Sequence, residues 1–366
     1  MDKNNKEVKI GLVGYGISKL LGWSFLNIPR YYDTYSRNSI NIFGVCTESK
    51  YSLDKAVREL GCEFITTKFE DLIYHPEIDA ICVGVPDYLH FPVVDAAIKA
   101  GKPIYCEKPL TKTIEEAKAL YDASLSNEVF VQMGFQMRFG SAIKEAKKII
   151  SNGGLGELYS FRCNYQHSGY EDPLRPISWR LDGSKTGGGA LYDLGSHAID
   201  MIMFLLGDIS SVVAKQETYI KSRPLSKNNN ELQKVNVDDI TFSLAEMKSG
   251  VIGSLEATRL ATGLRQGPEI VIHGSLGTIK LNGYTNPHVL EIYWKKPKEL
   301  ISKSGFENII FDNGAPIPLE VASTKSFLDN LHGVKNDAPT IEEGYKVQEV
   351  LAAIQLSNKK NKWSFL

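Results

Sequence analysis

The 366-residue chain has almost no net charge and little sulfur: 42 Lys+Arg against 43 Asp+Glu leave a formal charge of -1, and there are five cysteines. That balance gives no general attraction to nucleic acid or to an anionic membrane. No stretch approaches the apolar length of a membrane span. Met1 to Glu7 lack an apolar signal core, so no secretory leader is expected there. Cys46, Cys62, Cys82, Cys106 and Cys163 are odd in number and have no Cys-x-x-Cys spacing. Reduced packing residues in a cytoplasmic protein are therefore expected, not a disulfide framework. No second histidine pair or cysteine cluster completes a coordination set, so no metal is expected. There is no internal repeat.

What is present divides in two. A length of 366 residues suggests two domains, and 43% hydrophobic content is ordinary for packed cores. The first third alternates short apolar runs with amphipathic stretches, the pattern of a parallel sheet with crossover helices. Strands are expected near Val8–Val13, Ile40–Cys46, Glu63–Ile65, Ala80–Val83, Pro103–Cys106 and Val129–Met133. Thr113 and Glu116 fit a capping box. From Leu158 the strands lengthen and alternate, including Ile240–Met247, Val251–Thr258 and Glu269–His273, which marks an α+β domain. The expected division is an α/β, Rossmann-type domain over 1–134 and an α+β domain over 135–366. Polar Lys221 to Asn236 read as an exposed loop. Helices are expected near Ser323–Leu331 and Gly344–Leu356.

Three motifs carry the chemistry. Gly14-Tyr15-Gly16 follows the first strand, where a tight turn lets a pyrophosphate approach the amides of a helix N-terminus. The third position of that fingerprint is Lys19, not glycine, and a lone Gly-x-Gly is equally an ordinary turn. Gly101 to Pro109 end a strand with Glu107-Lys108-Pro109. Gly187-Gly188-Gly189 lead into a helix with Asp193, His197 and Asp200 at i, i+4 and i+7, one face of a 3.6-residue period.

In order and spacing these elements resemble the Gfo/Idh/MocA family of sugar oxidoreductases, from Val8 to the segment ending at Gln348. The resemblance implies a second domain with a large, mostly antiparallel, open-faced sheet, through which family members form homodimers or homotetramers. It implies a nicotinamide cofactor held by Gly14, Gly16, Ile17, Ser18, Thr47, Glu48, Pro86, His90, Glu107 and Lys108, with His90 structural. Thr47-Glu48 at the end of the second strand point to NAD, since Glu48 repels a 2′-phosphate; Lys50 leaves NADP open. Oxidising a secondary alcohol needs a base and a positive group for the developing alkoxide. His197 is the candidate base, Asp193 its orienting or substrate-binding partner, and Lys108 the cation. Asp200 steadies this face or the helix. Lys108, Gln166, Trp179, Arg180, Asp193 and His197 are the candidate substrate contacts, with His167 and Tyr170 nearby and Arg138 at the domain junction. The expected reaction moves a hydride between NAD(P) and a secondary hydroxyl of a sugar or cyclitol. An NAD-dependent glycosidase, working by transient C3 oxidation and elimination, stays open beside it.

Overall fold

The computed structural model describes residues 7–265, 267–295, 305–311 and 316–366. The Met1 to Lys6 stretch read above for a signal core lies outside them. Two compact units result, one reaching to Gln136 and including Ile317–Gln348, the other comprising Met137–Pro316 and Glu349–Leu366. A single cut at 134/135 puts Ile317–Gln348 in the second domain. Instead it groups with the first, because Val321, Phe327 and Leu328 enter that unit's core.

In the first unit, β1 (Val8–Val13), β2 (Ile40–Cys46), β3 (Phe64–Thr66), β4 (Ala80–Val83), β5 (Ile104–Cys106) and β6 (Val131–Met133) form one sheet. Its strands are parallel, in the order β3-β2-β1-β4-β5-β6. Helices α1 (Ile17–Tyr31), α2 (Lys50–Leu60), α3 (Phe69–Ile73), α4 (Asp87–Lys99) and α5 (Ile114–Ser126) connect them. Strand β4 is buried at every residue, as a sheet covered on both faces requires. Thr113 Oγ1 caps α5 by accepting from the Glu116 amide at 3.3 Å. Strand order reverses between β1 and β4, and the carboxyl edge at such a switch point is where open α/β sheets bind ligands.

In the second unit, α6 (Ser141–Ser151) and α7 (Ser196–Leu206) accompany a nine-stranded sheet. Its members are β7 (Leu158–Gln166), β8 (Ile209–Glu217), β11 (Ile240–Met247), β12 (Ile252–Thr258), β13 (Glu269–Gly274), β14 (Gly277–Asn282), β15 (Val289–Trp294), β16 (Glu307–Ile310) and β17 (Ser364–Phe365). All pairings are antiparallel except β7 with β12. Along β11, Thr241, Ser243, Ala245 and Met247 are buried while Phe242, Leu244 and Glu246 are exposed, so one face packs and the other is open.

Lys221 to Asn236 differ from the loop expected there. They hold a hairpin of β9 (Ser222–Ser226) and β10 (Asn229–Lys234) around a two-residue turn, with Arg223 and Val235 buried. Polar composition records solvent exposure, not backbone pairing. Helix α8 (Leu319–Leu331) belongs to the first unit, and α9 (Ile341–Lys360) is divided at Gln348. No helix among the described residues is long and apolar enough to cross a membrane. All five cysteines are free and buried.

Candidate active site

The first unit prepares a dinucleotide site through its backbone. Gly14 adopts φ +94°, its amide donates to Cys46 O at 2.8 Å, and a Cβ there would meet Gly84 O at 2.5 Å. Glycine is thus required both for conformation and for space. Gly16 precedes α1 with no side-chain cap, no acid in the first turn, and nothing within 4 Å of where a Cβ would be. Open amides at a helix start fit an anion, so this turn suits a pyrophosphate. Ser18 is buried and its hydroxyl donates to Val13 O at 3.1 Å, leaving its backbone amide as its contribution to such a site. The close helix–sheet packing that a third glycine gives comes instead from Gly22, whose Cβ would lie 2.9 Å from Leu12. Lys19, in the third-glycine position, pairs with Glu59 at 2.7 Å.

The remaining cofactor candidates lie at the same sheet edge. Thr47 is half-buried, its amide donating to Thr66 O at 3.2 Å, and Glu48 is exposed. Ser49 caps α2 by accepting from the Ser52 amide. Pro86 immediately precedes α4. His90 is buried, with Nδ1 2.8 Å from Pro109 O and Nε2 2.8 Å from Val85 O. It therefore ties the loop after β4 to the segment after Lys108, a structural task. Glu107 is buried, and its carboxylate lies 3.0 Å from where a Gly134 Cβ would be, so it packs closely against that glycine. Half-buried Lys108 follows two residues after β5, and its amide approaches Glu107 Oε2 at 3.4 Å.

The second unit sets the acid–base candidates on a distorted helix. The Gly189 and Leu191 amides donate to the two Asp238 carboxylate oxygens at 2.7 and 2.8 Å, and the Ala190 amide to Asp238 O at 2.9 Å. Thr241 Oγ1 donates to Asp238 Oδ2 at 2.9 Å. A Cβ on Gly189 would fall 1.8 Å from Asp238 O, which accounts for the glycine. Leu191–Gly195 then form a π-helical turn that continues into α7. Asp193 lies within the π turn and His197 beyond it, so the simple i, i+4 geometry read from the sequence does not hold between them.

Asp193 Oδ2 accepts from Arg259 Nη2 at 3.1 Å. Burial works against the Arg259 charge, but Asp193, Tyr170 and Asp238 more than offset it and leave its pKa raised. His197 is buried, its ring 6.1 Å from that of Tyr165. Burial, and next the Asp193 charge, push the Tyr165 phenol well above its ordinary value. His167 is pulled below the usual imidazole value, chiefly by burial; Asp193 opposes this, and Arg259, Arg175 and Arg265 reinforce it.

The other candidates have partners of their own. Asp200 is buried and takes hydrogen bonds from Arg138 Nε at 3.0 Å and Nη2 at 2.6 Å, a structural pair inside the second unit. Gln166 Nε2 donates to Glu256 Oε1 at 2.7 Å. Strand alternation puts Gln166 on the opposite face of β7 from Tyr165, the residue that meets His197. Trp179 begins a short turn ending at Leu181, with the exposed Arg180 guanidinium 4.2 Å from its ring centre. Tyr170 is buried against Leu181, Val235 and Val237 and serves as a packing platform. Sequence reading missed Asp238, Arg259 and Tyr165. Asp238-Asp239 before a strand and Thr258-Arg259 after one are visible as charges beside apolar alternation, but nothing local names their partners.

Residues 8–135 match the model described as oxidoreductase family, NAD-binding Rossmann fold, and residues 143–280 match the GFO/IDH/MocA C-terminal domain. The chain is 30% identical over 386 residues to levoglucosan dehydrogenase of Pseudarthrobacter phenanthrenivorans, covering 98% of each. A levoglucosan dehydrogenase structure in complex with NADH and levoglucosan aligns with TM-score 0.91 and 29% identity, over 98% of this chain and 99% of that one. At 25% identity over 273 residues, 74% of this chain and 68% of the relative, it is also similar to 2,7-anhydro-N-acetylneuraminate hydratase of Escherichia coli.

Proposed function

Because the chain belongs to the Gfo/Idh/MocA oxidoreductase family, we propose that it oxidises a secondary hydroxyl of a pyranose-type sugar, an anhydro sugar such as levoglucosan being the first to test. It is an NAD(P)-dependent dehydrogenase acting on CH–OH groups of sugars or cyclitols. The observation that carries the narrower reading is the end-to-end likeness, in both units, to an enzyme that binds NADH and levoglucosan.

Bound NAD supplies the hydride acceptor. The amides at Gly16, Ile17 and Ser18 would hold its pyrophosphate at the uncapped start of α1, with Gly14 making the turn that lets it approach. Thr47 and Glu48 take the adenosine ribose, with Glu48 disfavouring a 2′-phosphate. Pro86 and His90 shape the cofactor edge from behind, and Glu107 fixes the backbone at Lys108. Of the residues that act on substrate, neutral His197 in the second unit serves as the base for a hydroxyl proton, and the Lys108 ammonium in the first serves as the cation for developing negative charge. Asp193 orients the imidazole or the substrate. Trp179 stacks on the sugar ring, and Arg180 binds its hydroxyls. The reverse reaction uses the same groups, with His197 returning the proton. Exposed Phe242, Leu244 and Ile252 on the open sheet face support association as a homodimer or homotetramer.

The test is a substrate panel of levoglucosan, free sugars, cyclitols and aryl glycosides, each assayed with NAD and with NADP. The expected result is stoichiometric NADH formation with a sugar or cyclitol and a higher kcat/KM for NAD than for NADP. Release of aglycone without net NADH would overturn the dehydrogenase reading in favour of the redox-assisted glycosidase.

A further inference from the structure

Arg259 follows directly on β12, and its side chain is 1% exposed. A guanidinium this deep needs partners for its charge, and here the two terminal nitrogens are held while Nε has no hydrogen-bond acceptor among the described residues. Nη2 donates to Asp193 Oδ2 at 3.1 Å, and Nη1 to Arg180 O at 3.3 Å. The guanidinium lies 4.6 Å from the centre of the Tyr170 ring, and the Arg259 amide donates to Asp239 O at 3.0 Å. The fork is thus fixed by a ring face, a carbonyl and its own backbone, and its remaining direction is toward Asp193. The Asp193 side chain is 23% exposed, so it reaches solvent in part while the Arg259 side chain that pairs with it stays buried.

We propose that Arg259 is the positioning residue for Asp193, keeping its carboxylate aimed, and that it couples Asp193 to the Trp179–Leu181 turn through the Arg180 carbonyl. The proposal rests on the dehydrogenase reading above. The titratable groups around the pair are Tyr165 and His167 on or beside β7, Tyr170 beyond it, Asp238 before β11, and His197 on α7. Among these, Asp238 accepts backbone amides of the glycine-rich entry, and Tyr170 offers Arg259 its ring face. Lysine at 259 keeps the charge but loses the planar fork that reaches two acceptors at once.

The experiment first establishes wild-type turnover on the best substrate of the panel; its absence overturns the functional reading before any variant is made. With turnover in hand, Arg259→Met, Arg259→Lys, Asp193→Asn and the double variant Arg259→Met/Asp193→Asn are compared in kcat, KM and pH profile. Arg259→Met is expected to lower kcat by about tenfold or more while leaving KM for NAD nearly unchanged. Its acidic limb, set by His197, moves to higher pH, because loss of the Arg259 cation makes the base easier to protonate. Arg259→Lys recovers part of the rate. In the Asp193→Asn background the Arg259→Met change costs less than about threefold, since residues acting through one contact are not additive. Equal losses in both backgrounds, or an unmoved acidic limb, would overturn the proposal. If Arg259→Met fails to fold by circular dichroism, Arg259→Lys carries the same cycle.

Discussion

Arg138 and Asp200 form a hydrogen-bonded ion pair within the second unit, Nε reaching both carboxylate oxygens and Nη2 one of them, with side chains 6% and 1% exposed. Asp200 lies three residues beyond His197 and reads in sequence as the third residue of that helix face, steadying the face or the helix. The pair accounts for both residues without any contact to substrate, and the Arg138 guanidinium also lies 4.9 Å from the Phe204 ring centre.

Breaking this pair should unfold the second unit before it affects chemistry. Asp200→Ala leaves a buried guanidinium uncompensated, a loss of about 3–5 kcal/mol. The double change Arg138→Met/Asp200→Leu should recover most of that loss. Urea denaturation of the three proteins checks it, and an Asp200→Ala enzyme of full stability but no turnover would place Asp200 among the reacting groups instead.

Asp238 should matter more for rate than its distance in sequence suggests. Asp238→Ala leaves the Gly189 and Leu191 amides without their acceptor, which costs about 1–3 kcal/mol for each buried donor left unsatisfied. The π turn carrying Asp193 loses its anchor at the same time. Steady-state kinetics should give a fall in kcat larger than the rise in KM for NAD, with Asp238→Asn intermediate because the amide retains one acceptor.

Much of this arrangement was legible in the chain, and the limits have physical causes. Strands β1, β2, β4 and β11 begin and end where expected, because apolar runs and alternation are local signals. The Gly-x-Gly turn, Glu107-Lys108-Pro109 and the glycine-rich entry also stand in the surroundings expected of them. Sequence points to Gln166 and not to Tyr165, because a strand's phase depends on which face is covered, and a period of two gives opposite answers one residue apart. The π turn is invisible to a helical period of 3.6. Buried charge pairs were hidden for a simpler reason: 66 residues separate Arg259 from Asp193, 62 separate Arg138 from Asp200, and 49 separate Asp238 from Gly189.

Lys108→Ala should abolish most turnover while dinucleotide binding survives, since the ammonium acts on the reacting oxygen. Loss of such a stabiliser costs on the order of 10²-fold or more in kcat. Fluorescence titration with NADH beside the rate assay separates the two effects. Near-normal activity in a folded variant would remove Lys108 from the chemistry.

His197 must be neutral to accept a proton, so alcohol oxidation should fall as the pH drops through its pKa in the complex, from an unperturbed value near ~6.5. His197→Ala should flatten that acidic limb and lower kcat far more than it weakens NAD binding. A variant that keeps both the limb and the wild-type rate would place the base elsewhere, with Asp193 or Lys108 next in line.

The central claim is a net hydride transfer from a sugar carbon, and isotope tracing reads it directly. Levoglucosan, or the best substrate of the panel, is deuterated at each carbinol carbon in turn and incubated with NAD, and the cofactor is then recovered for mass and NMR analysis. The account predicts that deuterium from one carbinol carbon appears at C4 of the nicotinamide, with one oxidised sugar formed for each NADH. Deuterium that never accumulates in released cofactor, while a glycosidic bond is cut, would contradict it.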